Sequence, residues 1–479
     1  MRLPFLSESS GLRLAAGAVF VLGLLAGVIT ERESSYALIL CVVLFSVISL
    51  AMLGDRAFPW ALVVVAVAPW YPFIAEAAEP PIVRQKVLCA AIAAAPLAPW
   101  LWSLATGGRR TRPSRWSLLM GILFAGLALL IYNTLGSVSE LIESGIVGYL
   151  FIGVTFLCAR RFGKGDGWPA AAFAGLVVLI LLGVEAYREA PSLRVGYFVG
   201  YPITYGALVV GLLPLALLFA YRRSRLLAAG LAAACAVLLI LSESRSSWVA
   251  VAVLVILVVI LQTRVGNFKM LAAVGSVLAI VAALILGTSS LHHIVEEKLS
   301  AKISTTSSVT HREWSYGYAL ETIGHAPIFG AGAPGYSAKE AANKTSIGAI
   351  DNGYLSISVD MGLVGLFAAL IPIAVALRTL GRCLRFGRTP ALELALALGV
   401  IGMAVVTAFY DSFYWAQIDL LLAGMGGVLS TRVGAITRGD SDLLEYRLTR
   451  ARGRWRAARP AAGGGPRSPQ LVRSHSSSV

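Results

Sequence analysis

Long apolar runs recur through almost the whole chain, and they constrain the fold more than any other feature. A helix needs about 20 mostly apolar residues to cross about 30 Å of hydrocarbon. Fourteen runs reach or approach that length: 13–30, 35–53, 58–74, 87–106, 116–133, 146–159, 168–187, 203–221, 225–242, 246–263, 270–288, 353–377, 391–410 and 414–431. Backbone polar groups inside a bilayer must be paired within the chain, which favours helices. The expected fold is therefore all-α, a polytopic integral membrane protein with about 12–14 transmembrane helices.

The composition excludes several other classes of protein. Hydrophobic residues make up 57% of the chain and charged residues 14%, whereas soluble domains carry about 25% charged residues. A soluble enzyme, a disordered protein and a nucleic-acid-binding domain are thus excluded as first interpretations. The five cysteines fall in or beside apolar runs and form no CxxC pair, which argues against a disulfide framework or a zinc site. No cofactor and no metal site are expected.

Basic residues alternate between the two sets of loops that the apolar runs define. One set holds 17 Lys and Arg residues, and the short loops of the other set hold six. The positive-inside rule places the first set, together with both termini, in the cytoplasm. The net charge of +15 therefore reflects topology, and no nucleic-acid partner is predicted.

The pattern divides the chain into three parts. Residues 1–190 form N-terminal transmembrane helices, 191–431 form a core with one large external loop at 289–352, and 432–479 form a basic, partly disordered cytoplasmic tail. Within the loop, HREWSYGYALETI predicts an amphipathic helix with Trp314, Tyr318 and Ile323 near one face. The turn PIFGAGAPGYS follows it. Loops of this size with structure of their own are usually functional.

Three of the arginines on the external side are candidates for a binding site, because positive charge there runs against the insertion bias. They are Arg194 before the eighth run, Arg245 between two runs, and Arg312 in the large loop. A guanidinium offers a planar fork of donors that matches phosphate oxygens. The three therefore predict a site for an anionic lipid head group such as a pyrophosphate. The alternative is that each is ion-paired or snorkelling, as Arg245 would be with Glu243.

A series of short motifs follows in order between about residues 190 and 370. They are Arg194-Val195-Gly196 to Tyr201-Pro202, Ser244-Arg245-Ser246-Ser247-Trp248, Arg312-Glu313-Trp314, Pro327-Ile328-Phe329-Gly330-Ala331-Gly332, Asp351-Asn352-Gly353-Tyr354-Leu355 and Gly362-Leu363-Val364-Gly365. This order resembles the O-antigen ligase/polymerase family of bacterial membrane glycosyltransferases. The resemblance implies a helical bundle in the bacterial inner membrane, with a periplasmic loop capping a cavity at the outer leaflet. It also implies glycan transfer from undecaprenyl pyrophosphate to an acceptor hydroxyl. The large loop has no DxD-like acidic pair, which agrees with a metal-independent transfer.

The resemblance also implies roles for particular residues. The expected catalytic residues are Asp351, Arg245 and Arg312, and the expected contacts with pyrophosphate or glycan are Arg194, Tyr201, His311, Trp314, Asn352 and Tyr354. Ligases of this family carry histidine where Asp351 stands. A carboxylate can also act as a general base, and the Asp form favours the polymerase branch. The alternative for Asp351 is a helix N-cap, a position that Asp often occupies.

Three functions stay open at this point. A polymerase would join lipid-linked repeat units of O-antigen or exopolysaccharide, and a ligase would move a finished chain onto lipid A–core or protein. Both would use an undecaprenyl-pyrophosphate-linked saccharide donor, a saccharide or lipid A–core acceptor, and surrounding membrane lipids. The third is a transporter of a lipid-linked or acidic substrate. Transporters often contain two repeated halves, and no repeat relates 1–240 to 241–431.

Overall fold

The computed structural model describes part of the chain. Described are residues 57–67, 153, 155–160, 167–190, 194–199, 201–265, 307–331, 350–386, 390–410 and 417–433, with single residues between 275 and 296. The predicted spans 13–30, 35–53, 87–106 and 116–133 lie outside these residues, as do most of 270–288 and the tail from 434. The chain divides into the units Met1–Arg432 and Val433–Val479, and all described residues except Val433 belong to the first.

Helices make up the described part of the chain, which contains no strand. We number the helices α1 Ala57–Val67, α2 Trp168–Glu189, α3 Pro202–Arg223, α4 Arg225–Leu241, α5 Arg245–Val265, α6 Ser307–His325, α7 Gly353–Phe386, α8 Ala391–Thr407 and α9 417–433. A single 3-10 turn, Tyr197–Val199, precedes α3. The predicted all-α membrane fold is confirmed.

Within the described ranges, four helices, α2, α3, α5 and α7, are long and apolar enough to cross a membrane, and α4 and α8 are shorter apolar helices. The predicted runs at these places therefore form helices. Large apolar side chains stay exposed along single faces, as with Leu181 and Val184 on α2 and Ile256 and Ile260 on α5. In a bilayer, such faces contact acyl chains.

Helix α3 lies at the centre of the described bundle. It packs against α2, α4, α5 and α8, and every residue from Thr204 to Leu212 is buried. A helix that is apolar on all sides is expected to be buried on all sides, as this stretch of α3 is. The predicted site segment 194–201 ends directly before Pro202, where α3 begins, so the packing of α3 also positions that segment.

Helix α7 differs from the single span predicted at 353–377. Gly362 has φ 60° and ψ −158°, so the helix breaks there into Gly353–Met361 and Leu363–Phe386. At 1.5 Å per residue, the second part is about 36 Å long and is sufficient to cross the hydrocarbon by itself. The first part is a separate short helix at the end of α8, since the Tyr354 hydroxyl donates to Ala404 O at 2.9 Å.

Charge is distributed unequally between the two ends of the bundle. Arginines 222, 223 and 225 surround the α3–α4 connection, and arginines 382 and 385 lie in the last turns of α7. The opposite end carries the α4–α5 turn and the start of α7. This distribution follows the alternation predicted from the loops, and the positive-inside rule would place the arginine-rich end in the cytoplasm.

Candidate functional site

Arg194 holds the turn between α4 and α5. Its Nε donates to Ser242 O at 3.1 Å and its Nη2 to Glu243 O at 3.2 Å. Val195 N also donates to Leu241 O at 3.2 Å. Glu243 has a positive φ of 53°, a conformation that costs energy for a residue with a side chain. The guanidinium therefore stabilises a turn that is unfavourable on its own.

The motif Ser244-Arg245-Ser246-Ser247-Trp248 opens α5 from this turn. Ser244 Oγ lies 2.8 Å from Ser247 Oγ, and the Trp248 indole donates to Leu239 O at 2.9 Å. These contacts secure the turn, whereas Arg245 is exposed at the first residue of α5. Glu243, the partner suggested for Arg245, has a carboxylate oxygen 3.8 Å from Arg194 Nε.

A row of tyrosines joins this turn to the start of α7. The Tyr201 ring stacks on the Tyr410 ring with centroids 5.9 Å apart and an interplanar angle of 8°, and Tyr197 meets Tyr201 edge-on at 6.0 Å. Tyr410 O accepts a hydrogen bond from Gly353 N at 3.1 Å. The predicted glycan contact Tyr201 is thus linked through Tyr410 to the residues beside Asp351.

Asn352 is the N-cap of α7. Its Oδ1 accepts hydrogen bonds from Tyr354 N at 3.0 Å and Leu355 N at 3.2 Å, the second and third amides of the helix. The interpretation of Asp351 as the cap is therefore wrong, because Asp351 precedes the capping position by one residue. Asp351 is half-buried, and its backbone O accepts a hydrogen bond from the Tyr316 hydroxyl at 3.2 Å.

The predicted loop helix is present as α6 and packs against the first part of α7. Its buried contacts are with Ile350, Val359 and Leu355, and they involve Tyr316, Ala319 and Ile323 of α6. Of the predicted face, Ile323 belongs to this cluster and Tyr318 does not, whereas Tyr316 and the small residue Ala319 were not predicted there. His311, Arg312 and Trp314 lie in the first turns of α6, but their side chains lie outside the described part.

The turn after α6 meets the break in α7 backbone to backbone. Leu363 N donates to Pro327 O at 2.8 Å and Val364 N to Ile328 O at 3.2 Å, while Ala331 N donates to Val359 O at 2.8 Å. These bonds pair amides and a carbonyl that the break would leave without helical partners. We call this unit, residues 327–331 with 359–364, the glycine clasp.

Two glycines make the clasp possible. Gly330 has φ 75° and Gly362 has φ 60°, both in the left-handed half of backbone space. A Cβ at Gly330 would lie 2.5 Å from Asp360 O, and one at Gly362 would lie 2.5 Å from Gly330 N. Two motifs that are separate in sequence, Pro327-Ile328-Phe329-Gly330 and Gly362-Leu363-Val364-Gly365, therefore form one structural unit.

Contacts, together with short stretches of chain, thus connect most of the predicted site segments at one end of the bundle. They run from the Arg245 turn through Arg194 and the tyrosines to Asp351, and on to α6. The exposed guanidinium of Arg245 can bind phosphate oxygens, and the carboxylate of Asp351 can accept a proton. Among the described residues, no group of three or more His, Cys, Asp or Glu side chains could hold a metal ion.

The comparison with protein families agrees with this arrangement. Residues 230–370 match the family model described as O-antigen ligase. No match was found among curated proteins or solved structures. The matched residues include α5, α6, Asp351 and the glycine clasp, and they cover most of the motifs that carry the resemblance in sequence. The segment 230–370 is therefore similar to the O-antigen ligase family, which supports the resemblance seen in the sequence motifs.

Proposed function

We propose that the chain transfers a glycan from undecaprenyl pyrophosphate to an acceptor sugar hydroxyl at the outer leaflet, and that it polymerises repeat units. The observation that supports this most strongly is the chain of contacts from the Arg245 turn to Asp351. It joins an exposed phosphate-binding group and a candidate base at one end of a membrane bundle, and both lie inside the family segment 230–370.

The transfer step needs a base for the acceptor and positive charge for the leaving group. The acceptor oxygen attacks the anomeric carbon, its proton passes to the Asp351 carboxylate, and the bond from that carbon to the phosphate oxygen breaks. Arg245 and Arg312 bind the departing pyrophosphate and stabilise the charge that develops on it. A single displacement of this kind inverts the anomeric centre.

The contacts refine the roles of three other predicted site residues. Two nitrogens of the Arg194 guanidinium, Nε and Nη2, donate to backbone carbonyls, so we assign Arg194 as a positioning residue for the turn that presents Arg245. Asn352 caps α7, and the Tyr354 hydroxyl donates to α8. We assign these two to holding the start of α7 beside Asp351, with Tyr201 left to face the glycan.

The orientation follows from charge. The positive-inside rule favours a cytoplasmic position for the arginine-rich end of α3, α4 and α7, and this supports a site at the periplasmic surface of the inner membrane. Nucleotide sugars are confined to the cytoplasm, so a lipid-linked donor suits a site on this side. Labelling of a cysteine at Ser307 by a membrane-impermeant reagent tests the orientation, and protection of that cysteine would reverse it.

A ligase is the second candidate, because the matching family model is described as O-antigen ligase. It would use the same donor and the same leaving group, with lipid A–core or protein as acceptor. The aspartate at position 351, where ligases of the family carry histidine, is the reason for placing polymerase first.

A purified assay with a short lipid-linked repeat unit as sole substrate separates the candidates. A ladder of products shows polymerisation. Product that forms only after lipid A–core is added shows ligation. A transporter would form no new glycosidic bond under either condition but would move the lipid-linked substrate across proteoliposomes, and that result would overturn the proposal.

A further inference from the structure

The turn of the glycine clasp carries two large apolar side chains on its outer surface. Ile328 is 57% exposed and Phe329 is 53% exposed. The backbone around them is fixed, since Gly330 N donates to Ala326 O at 3.0 Å and Ile328 O accepts from Val364 N. These two side chains are thus held outward by a braced turn.

The same turn lies at the head of a lipid-facing stripe on α7. Phe367 is 65% exposed and Leu363 is 42% exposed, and Leu377 and Leu384 are also exposed. At 100° per residue, these four positions fall within one side of the helix. The bond between Val364 N and Ile328 O places Ile328 next to the first residues of this stripe, so the apolar surface continues from the span onto the turn.

We propose that Ile328 and Phe329 insert into the bilayer surface and anchor the external loop to the leaflet at the site end of the bundle. The partner is the boundary between acyl chains and head groups, where exposed aromatic and aliphatic side chains are favoured. The anchor keeps α6 and Asp351, both attached to the clasp, at the level where a lipid-linked pyrophosphate emerges. The proposed anchor depends on insertion of the chain in a membrane, and it does not depend on which reaction the site catalyses.

Nitroxide labels attached to single cysteines test the anchor. The chain is reconstituted in vesicles of phosphatidylethanolamine and phosphatidylglycerol, with its native cysteines replaced by alanine. Labels at Phe329, at Phe367 as the lipid-facing reference and at the exposed Glu321 of α6 as the water-facing reference are compared. We expect collisions with oxygen to exceed those with a water-soluble nickel complex at Phe329 and Phe367, and the reverse at Glu321.

If the label at Phe329 collided mainly with the nickel complex, as the label at Glu321 should, the anchor would be overturned. Shielding of the Phe329 label from both reagents would also overturn it, because it would show that protein covers the turn. A label at Ile328 repeats the measurement without altering Phe329. Because the readout is contact with lipid, an inactive preparation gives the same answer as an active one, so failure of the anchor and failure of the proposed transfer reaction are distinguishable.

Discussion

Replacing Gly362 with alanine should open the glycine clasp. The backbone there has φ 60° and ψ −158°, a region essentially restricted to glycine, where a side chain costs about 1–3 kcal/mol. The added Cβ would also lie 2.5 Å from Gly330 N, and backbone cannot move aside as a flexible side chain can. The hydrogen bonds of Leu363 N and Val364 N would be lost, at about 1 kcal/mol each. The clasp is thus destabilised by about 3–5 kcal/mol.

Amide hydrogen exchange followed by mass spectrometry measures this opening locally. Because 1.4 kcal/mol corresponds to a factor of ten, the amides of Leu363 and Val364 should exchange at least about 100-fold faster in Gly362→Ala. Transfer activity should fall with them, since the clasp connects α6 to the helix that begins beside Asp351. Gly330→Ala should behave in the same way, because its Cβ would meet Asp360 O at 2.5 Å.

Gly324→Ala is the matched control. Gly324 lies in α6, and a Cβ there meets nothing within 4 Å. Alanine in a helix is favoured over glycine by about 1 kcal/mol, so exchange at Leu363 and Val364 should stay at the wild-type rate. Wild-type exchange of both amides in Gly362→Ala would show that the clasp does not depend on glycine, and would refute the reasoning.

Three further predictions concern the site and the tail. Arg245→Ala and Arg312→Ala should abolish glycan transfer without loss of folded protein. Arg245→Lys should recover only part of the rate, because an ammonium cannot form a bidentate fork. Wild-type rates in either alanine variant would remove that residue from pyrophosphate binding. Asn352→Ala should lower the free energy of unfolding by about 1 kcal/mol, and Asn352→Asp should leave it nearly unchanged. Equal melting temperatures for the wild type and both variants would argue against Asn352 as the helix cap. Deletion of residues 460–479 should leave the transfer rate unchanged, and a lower rate at normal protein level would reveal a role for the tail.

The membrane-spanning helices were predictable because the apolar composition of the local sequence determines them. Runs such as 168–187 and 246–263 are apolar for the length of a bilayer, and α2 and α5 form there. The break at Gly362 was not predicted, because the run 353–377 is long and apolar enough for one span despite Ser356, Ser358 and Asp360 before the glycine. Its cause is tertiary, since the bonds that compensate for it come from Pro327 and Ile328. A glycine within an apolar helix was the one signal in the sequence.

The site was predictable in part. The motifs placed Arg194, Arg245 and Asp351 in short segments, but their partners lie far away in sequence. Arg194 donates to carbonyls 48 and 49 residues later, which no local pattern shows. Asp351 and Asn352 are equally good capping residues by type. Only the position of the first helical turn, fixed by Gly353 against Tyr410, assigns the cap to Asn352.

The most direct test of the proposed transfer site is the rate of Asp351→Asn in the purified assay, at matched protein level. Asn352 caps α7, so this change leaves the helix cap in place and replaces the carboxylate that takes the acceptor proton. Loss of a general base lowers the rate by about 10²–10⁴-fold, and Asp351→His should restore part of it. A near-normal rate for Asp351→Asn, at unchanged stability, would contradict the assignment of Asp351 as the base and with it the proposed mechanism.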